Sequence, residues 1–297
     1  MKDKLFIWMQ FLLPHHLLSR TVAVLAQCRI GWVKNAFIGW FARRYQVDMS
    51  QAAEPELRAY SCFNDFFTRE LRPDARPLAP GRDTILCPAD GMVSQAGPIE
   101  DDQLLQAKGR YYSVQTLLGG DACLAEEFQG GNFATIYLSP KDYHRVHMPL
   151  GARLRETIYV PGQLFSVNQL TSERVDNLFA RNERLVCLFD TDHGPMALVL
   201  VGAMIVAGID TVWAGQAAPA AHGLLSTPYG DHTPAIELAP GSEMGRFRLG
   251  STVIALFGPG MSRLSGTLQA GKTVYMGESI GNIVSNLNCM ESKNEQI

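Results

Sequence analysis

The chain has 297 residues, 46% of them hydrophobic and 19% charged, with a formal net charge of -3. That length allows one or two domains with a true core, and the composition excludes disorder, a coiled coil and a general nucleic-acid binder. The charge is uneven: residues 1–50 hold Lys2, Lys4, Arg20, Arg29, Lys34, Arg43 and Arg44 against Asp3 and Asp48, together with Trp8, Trp32 and Trp40, three of the four tryptophans. A basic, aromatic segment ahead of a more acidic body points to an anionic membrane surface.

Leu5, Met9, Leu12 and Leu13, then Val33, Phe37, Trp40 and Phe41, recur at helical spacing, which predicts a mainly helical first fifty residues. Residues 5–13 make a poor signal peptide, being interrupted by Gln10 and followed by Pro14, His15 and His16. Leu25-Ala26-Gln27-Cys28 carries Gln27 where a lipoprotein cleavage site needs a small residue, so the terminus is expected to stay. Residues 61–71 set Phe63, Phe66 and Phe67 among polar residues before Pro73, Pro77 and Pro80, a pattern that reads as a linker or domain edge.

From about Thr84 onward, short Val/Ile/Leu/Tyr-rich runs such as 133–138, 185–189 and 252–257 alternate with Gly and Pro, which predicts a β-rich body with one helical window at 167–181. The apolar run 196–209 falls short of the roughly 20 residues a spanning helix needs, and with Gly202 and Gly208 inside it reads as one or two buried strands. The six cysteines form no CxxC pair, so reduced, buried thiols are expected. The whole is an α+β chain, N-terminal helices leaning on a predominantly antiparallel β body, divided at 1–60 and 61–297.

Three segments could carry chemistry. Pro140 to Pro149 holds Asp142, His144 and His147; two histidines three apart share a face only if the segment is helical, and the flanking prolines leave that open. Asp90 lies in Pro88-Ala89-Asp90-Gly91, a turn signal that could also place an acid to orient an imidazole. Gly250-Ser251-Thr252 leads into a β-branched run. Leu249 and Val253 occupy both glycine positions of a hydrolase elbow, and no GxGxxG, Walker loop or HExxH occurs. On these residues alone, a metal-dependent hydrolase using Asp90, His144 and His147, or a non-enzymatic membrane module, stays open.

Taken together, Leu249-Gly250-Ser251-Thr252, the Pro140 to Pro149 segment, Pro88-Ala89-Asp90-Gly91 and residues 63–71 resemble the bacterial type of phosphatidylserine decarboxylase proenzyme. Tyr159-Val160-Pro161-Gly162, residues 164–168, residues 177–184 and Val212-Trp213-Ala214-Gly215 extend the resemblance over nearly the whole chain. It implies conversion of phosphatidylserine to phosphatidylethanolamine and carbon dioxide by a Schiff base on a pyruvoyl group, with no metal. It implies that Asp90, His147 and Ser251 form a charge-relay triad that cuts the chain between Gly250 and Ser251, and that Ser251 becomes the pyruvoyl group. His144 is then the expected proton donor to the carbon that loses carbon dioxide, with Asp142 a secondary candidate. The expected partners are phosphatidylserine, an anionic membrane surface, the large and small chains of one precursor and a second copy in a homodimer, with no nucleic acid. The expected location is the cytoplasmic face of the cell membrane, as a peripheral enzyme.

Overall fold

A computed structural model describes residues 8, 10–11, 14–204, 208–219, 223–230, 234–248 and 251–284. Leu5, Met9, Leu12 and Leu13, and with them the first helical repeat, lie outside the described residues. So do Leu249, Gly250 and Cys289. The second repeat forms the helix Gly31–Tyr45, preceded by the helix His15–Ala26 and followed by the short helix Phe63–Phe67. Their inward faces make one cluster in which Ile38, Phe41 and Ala42 meet Ala26, Tyr60, Phe63, Phe66 and Phe67. Residues 61–67, which read as a linker, are therefore core: their phenylalanines are buried because the preceding helices cover them.

The strands are β1 (Thr84–Leu86), β2 (Gly91–Pro98), β3 (Gln103–Ala107), β4 (Arg110–Ser113), β5 (Asn132–Leu138), β6 (Arg145–His147), β7 (Ala152–Val160), β8 (Arg184–Thr191), β9 (Gly194–Val201), β10 (Ile209–Thr211), β11 (Gly215–Ala218), β12 (Leu225–Pro228), β13 (Glu237–Leu238), β14 (Glu243–Phe247), β15 (Ser251–Phe257), β16 (Ser262–Leu264), β17 (Thr273–Val274) and β18 (Ser279–Ile283). Nine of them form the main sheet in the order β12-β7-β8-β9-β15-β5-β2-β17, with β13 also on β7. A four-stranded sheet, β11-β10-β14-β6, and a three-stranded one, β1-β18-β16, accompany it. The α+β architecture expected from the pattern is the one observed, helices first and then a mostly antiparallel body. The window 167–181 contributes only two short helices, Gln169–Ser172 and Leu178–Arg181.

The main sheet is covered on both faces, which is why its central strands read as unbroken apolar runs. Along β15, Val253, Ala255 and Phe257 enter one core with Val146, Met148 and Phe247, while Ile254 and Leu256 enter the other with Phe128, Phe165 and Phe179. This two-residue alternation fixes the register of β15 between β5 and β9. The strands after it are tied back to the start of the body: β18 pairs with β1 and with β16, and β17 pairs with β2.

One consequence is testable. A backbone break just before Ser251 leaves β15 laddered on both sides, so a protein cut there should keep residues 251–297 through gel filtration in native buffer. The piece should separate only in denaturant; a fragment that elutes alone under native conditions would contradict this packing.

Candidate active site

Two connections meet at one end of the main sheet. β5 ends at Leu138 and β6 starts at Arg145, so residues 139–144 make the first; β14 ends at Phe247 and β15 starts at Ser251, so 248–250 make the second. Ser251 is registered opposite Leu138, and the Phe247 N–H donates to the His144 carbonyl at 3.0 Å. Both ends of the second connection are thus pinned to the two ends of the first. Arg248 holds its start through the Gly208 carbonyl (2.9 Å) and the Asp210 carboxylate (2.9 Å).

Asp142 closes the first connection. Its Oδ2 accepts from both the Ser139 N–H and the Ser139 hydroxyl at 2.7 Å, a local turn that holds this short polar side chain inward. Burial pushes its carboxyl pKa up, against the pull of those bonds. The Arg69 guanidinium donates to the Lys141 carbonyl at 3.0 Å and lies 3.4 Å from that of Asp142, locking the turn from outside.

His144 follows, fully buried, its ring stacked on Phe67 with centroids 3.9 Å apart and planes 19° from parallel. Neither ring nitrogen has a hydrogen-bond partner. Burial first and the Arg69 charge second push its pKa down to about 3, while the carbonyls of Pro140 and Ser139 lie close enough to pull the other way. His144 is a neutral imidazole near pH 7.

His147 points elsewhere. Its backbone N–H donates to the Pro88 carbonyl at 2.8 Å, bringing the Pro88 to Gly91 turn alongside β6. Its Nδ1 lies 2.8 Å from the Gly241 carbonyl and its Nε2 3.0 Å from the Tyr143 hydroxyl. A carbonyl only accepts, so Nδ1 carries the proton and Nε2 presents its lone pair, the tautomer a general base needs. Gly241, at φ 75° in the turn before β14, sits in the left-handed region that glycine enters without strain. Burial lowers the His147 pKa below its ordinary 6.5.

Asp90 is brought near His147 but not into contact with it. Its carboxylate takes the Arg76 guanidinium, with Nε at 2.9 and 3.1 Å from the two oxygens, and the Met276 N–H at 2.9 Å. It acts on His147 only through space, favouring the charged imidazole. The tautomer-fixing bond expected of Asp90 is made by Gly241. Next to it, a Cβ on Gly91 would collide with the Tyr137 backbone carbonyl, so glycine is required for β2 to lie this close to β5. Asp90, His144 and His147 do not converge as a ligand set, and no group of three or more His, Cys, Asp or Glu among the described residues is placed to hold a metal ion.

The structure therefore joins the turn carrying Asp142 and His144 to the start of β15, and sets His147 on β6, opposite Glu243, with Asp90 near it. It adds Phe67, Arg69, Arg76, Tyr143 and Gly241. Phe67 and Arg69 lie inside the 63–71 motif and Tyr143 inside the histidine segment, so those motifs held the signal. Arg76 and Gly241 sit in turn-rich stretches that carried none.

Comparison with known proteins agrees with these motifs. The profile of the family described as phosphatidylserine decarboxylase matches residues 63–282, and one described as PSD matches residues 5–46. The chain belongs to the phosphatidylserine decarboxylase family. It is 60% identical over 283 residues to the phosphatidylserine decarboxylase proenzyme of Ectopseudomonas mendocina (strain ymp), covering 95% of this chain and 99% of that protein. It is 61% identical over 279 residues to the proenzyme of Pseudomonas putida (strain GB-1), covering 94% and 97%. With that of Pseudomonas fluorescens (strain SBW25) the identity is 59% over 281 residues, covering 94% and 98%.

The Arg76–Asp90 pair lies buried near His147, its side chains only 12% and 5% exposed. Removing one partner strands a buried charge, so Arg76→Met should cost about 3–5 kcal/mol in urea unfolding. Adding Asp90→Asn to Arg76→Met should recover part of that loss. Additive losses in the double variant would show that the two groups do not act as a pair.

Proposed function

We propose that this chain is a self-processing decarboxylase that cuts itself between Gly250 and Ser251, turns Ser251 into a pyruvoyl group and then converts phosphatidylserine to phosphatidylethanolamine and carbon dioxide. The observation that carries this reading is the register of Ser251 with Leu138, directly before the turn that bears His144 and leads into the strand bearing His147. A buried, neutral His144 with two unpartnered nitrogens beside that position fits a carbonyl group there that must exchange protons with substrate.

In processing, His147 Nε2 takes the Ser251 hydroxyl proton as the oxygen attacks the Gly250 carbonyl carbon, and the amide between 250 and 251 becomes an ester. Tyr143 now occupies that lone pair, so its hydroxyl must yield to the serine or pass the proton on. Asp90 stabilises the imidazolium through space, while Gly241 keeps its orientation. Loss of the Ser251 Cα proton then expels the carboxylate of residue 250, and water releases ammonia to leave the ketone.

The pyruvoyl group, once formed, supplies an electron sink for the pair left by carbon dioxide. His144 moves the proton. Neutral before substrate arrives, it can accept the proton that the substrate ammonium must lose, and it can return that proton from the same ring to the carbon that lost carbon dioxide. Asp142, engaged by Ser139, serves by shaping the turn.

The membrane role belongs to the first fifty residues. Trp8, Leu17, Val24, Ile30, Trp32 and Trp40 are exposed there, with Val24 and Trp32 at 75% and 78%. Arg20, Arg29, Arg43 and Arg44 share the same stretch. No helix among the described residues is long and apolar enough to cross a membrane. Such a surface suits a peripheral enzyme lying on anionic lipid. Family resemblance is what supports a homodimer and the cytoplasmic face.

Purified protein should be two chains, 1–250 and 251–297, the smaller without a free amino terminus; Edman sequencing that reads Ser-Thr-Val would refute this. His147→Ala and Asp90→Asn should stop cleavage, whereas His144→Ala should mature and turn over poorly. Because burial lowers the His147 pKa, the basic form persists to lower pH than for an ordinary histidine. The cleavage rate should therefore stay level through pH 7 and fall only below about 6.5, the free-histidine value; a midpoint above it would exclude His147 as the base.

Trp32→Ser with Val24→Ser should weaken co-sedimentation with phosphatidylglycerol vesicles at high salt, where apolar insertion is what remains. Turnover of detergent-solubilised substrate should be kept. Unchanged sedimentation would move the contact to another face.

A further inference from the structure

A cavity of about 280 Å³ lies between the N-terminal cluster and the body, lined by Tyr60, Thr68, Arg69, Arg145 and Arg246 together with Glu54, Asp65 and Glu70. Its cations are not equivalent. Arg145 is saturated by Glu70 (3.0 Å), Glu243 (2.8 Å) and the Thr68 carbonyl (2.9 Å), and Arg246 is held by Glu243 (2.8 Å). Arg69 is 4% exposed, has no carboxylate at ion-pair distance among the described residues, and leaves its buried Nε without any partner. A guanidinium taken out of water with neither a counter-ion nor its full set of acceptors is an expensive arrangement unless an anion completes it.

The acids do not fill that role. Glu70 is engaged by Arg145 and 67% exposed, Asp65 takes the Ser61 hydroxyl, and Glu54 caps the Glu56 N–H. Meanwhile Nη2 of Arg69 grips the Lys141 carbonyl, three residues before His144. An anion on Arg69 therefore lies beside the turn that carries His144.

Phosphatidylserine brings two anionic groups, and the reaction treats them differently. The carboxylate charge must be lost as carbon dioxide leaves, so a guanidinium paired with it would stabilise the ground state more than the transition state. The phosphodiester keeps its charge throughout and sits three bonds from the carbon that bears both the amine and the carboxylate. We propose that Arg69 is the phosphate-binding residue of the substrate site, its free Nε edge taking the phosphodiester of phosphatidylserine. This rests on the reading of the His144 turn as the site of decarboxylation.

The test uses the matured full-length enzyme with soluble dihexanoyl phosphatidylserine as substrate and dihexanoyl phosphatidylethanolamine, which keeps the phosphate and lacks the carboxylate, as inhibitor. Arg69→Gln should raise KM and the inhibition constant together, each by about tenfold or more, as expected for a lost charge-assisted bond. Because Arg69 also grips the Lys141 carbonyl beside His144, kcat should fall too, but by a smaller factor than KM rises, the mark of a mainly binding role. Arg69→Lys should recover part of both.

A rise in KM with an unchanged inhibition constant would assign Arg69 to the carboxylate and overturn the proposal. So would unchanged values of both, or a fall in kcat with KM unchanged, which would make Arg69 only a brace for the turn. If Arg69→Gln fails to mature, Arg69→Lys carries the test, and failure of both variants to fold would also mark a purely structural residue. His144→Ala separates the two readings. If His144 is not the proton carrier this variant turns over normally, while the effect of Arg69→Gln on phosphatidylethanolamine binding is untouched.

Discussion

The two hydrogen-bond ladders that hold β15 between β5 and β9 set the position of everything at the candidate site. A slip of one residue would turn Val253, Ala255 and Phe257 out of one apolar layer and Ile254 and Leu256 out of the other, so the register has no cheap alternative. Position 251 is thereby bound to Leu138, and from Leu138 the chain turns directly to both histidines. In the proposed cleavage, a hydroxyl that attacks the carbonyl one residue back needs such a fixed point. The ladder ends at Ser251 and supplies that fixed point.

Around that point the environment, more than residue type, separates two imidazoles. His147 is held by acceptor and donor on its two nitrogens, so its tautomer is defined before any substrate arrives. His144 is held by stacking alone and keeps both nitrogens available. Both are kept from charging by burial, and both face cations, Arg145 for one and Arg69 for the other. Asp90, behind them, is paired with Arg76, which leaves the buried Arg69 as the cation beside the His144 turn without a carboxylate at ion-pair distance among the described residues.

How far the sequence spoke for this site depended on whether the information was local. Period-two runs and the helical repeat at 33–41 came through, because burial on one face or both is written residue by residue. The histidine segment was ambiguous: spacing of three would join the side chains on a helix, but residues 145–147 form a strand and the rings diverge, one toward Phe67 and one toward Gly241. The partners that decide their chemistry lie far along the chain. Gly241 is 94 residues from His147 and Arg69 is 72 from Lys141, and no local pattern announces such pairings. The same blindness made residues 61–71 read as a linker: three phenylalanines among polar residues look like an edge until the helices that cover them are in place.

That covered segment ties the membrane face to the chemistry. The helix Gly31–Tyr45 turns Trp32 and Trp40 outward and Phe37 and Phe41 inward. Phe37 stacks on Phe63 at 4.3 Å, Phe63 on Phe67 at 5.9 Å, and Phe67 on His144 at 3.9 Å. Close-packed rings of this kind transmit position, since none can shift without displacing its neighbour. If the outer face of that helix rests on lipid, as proposed, the stack sets the height and tilt of His144 above that lipid. A substrate with two acyl chains stays in the bilayer and offers only its head group, so on the proposed reading the proton carrier has to be held at one fixed distance from the surface, and a close-packed aromatic stack can do this without any moving part.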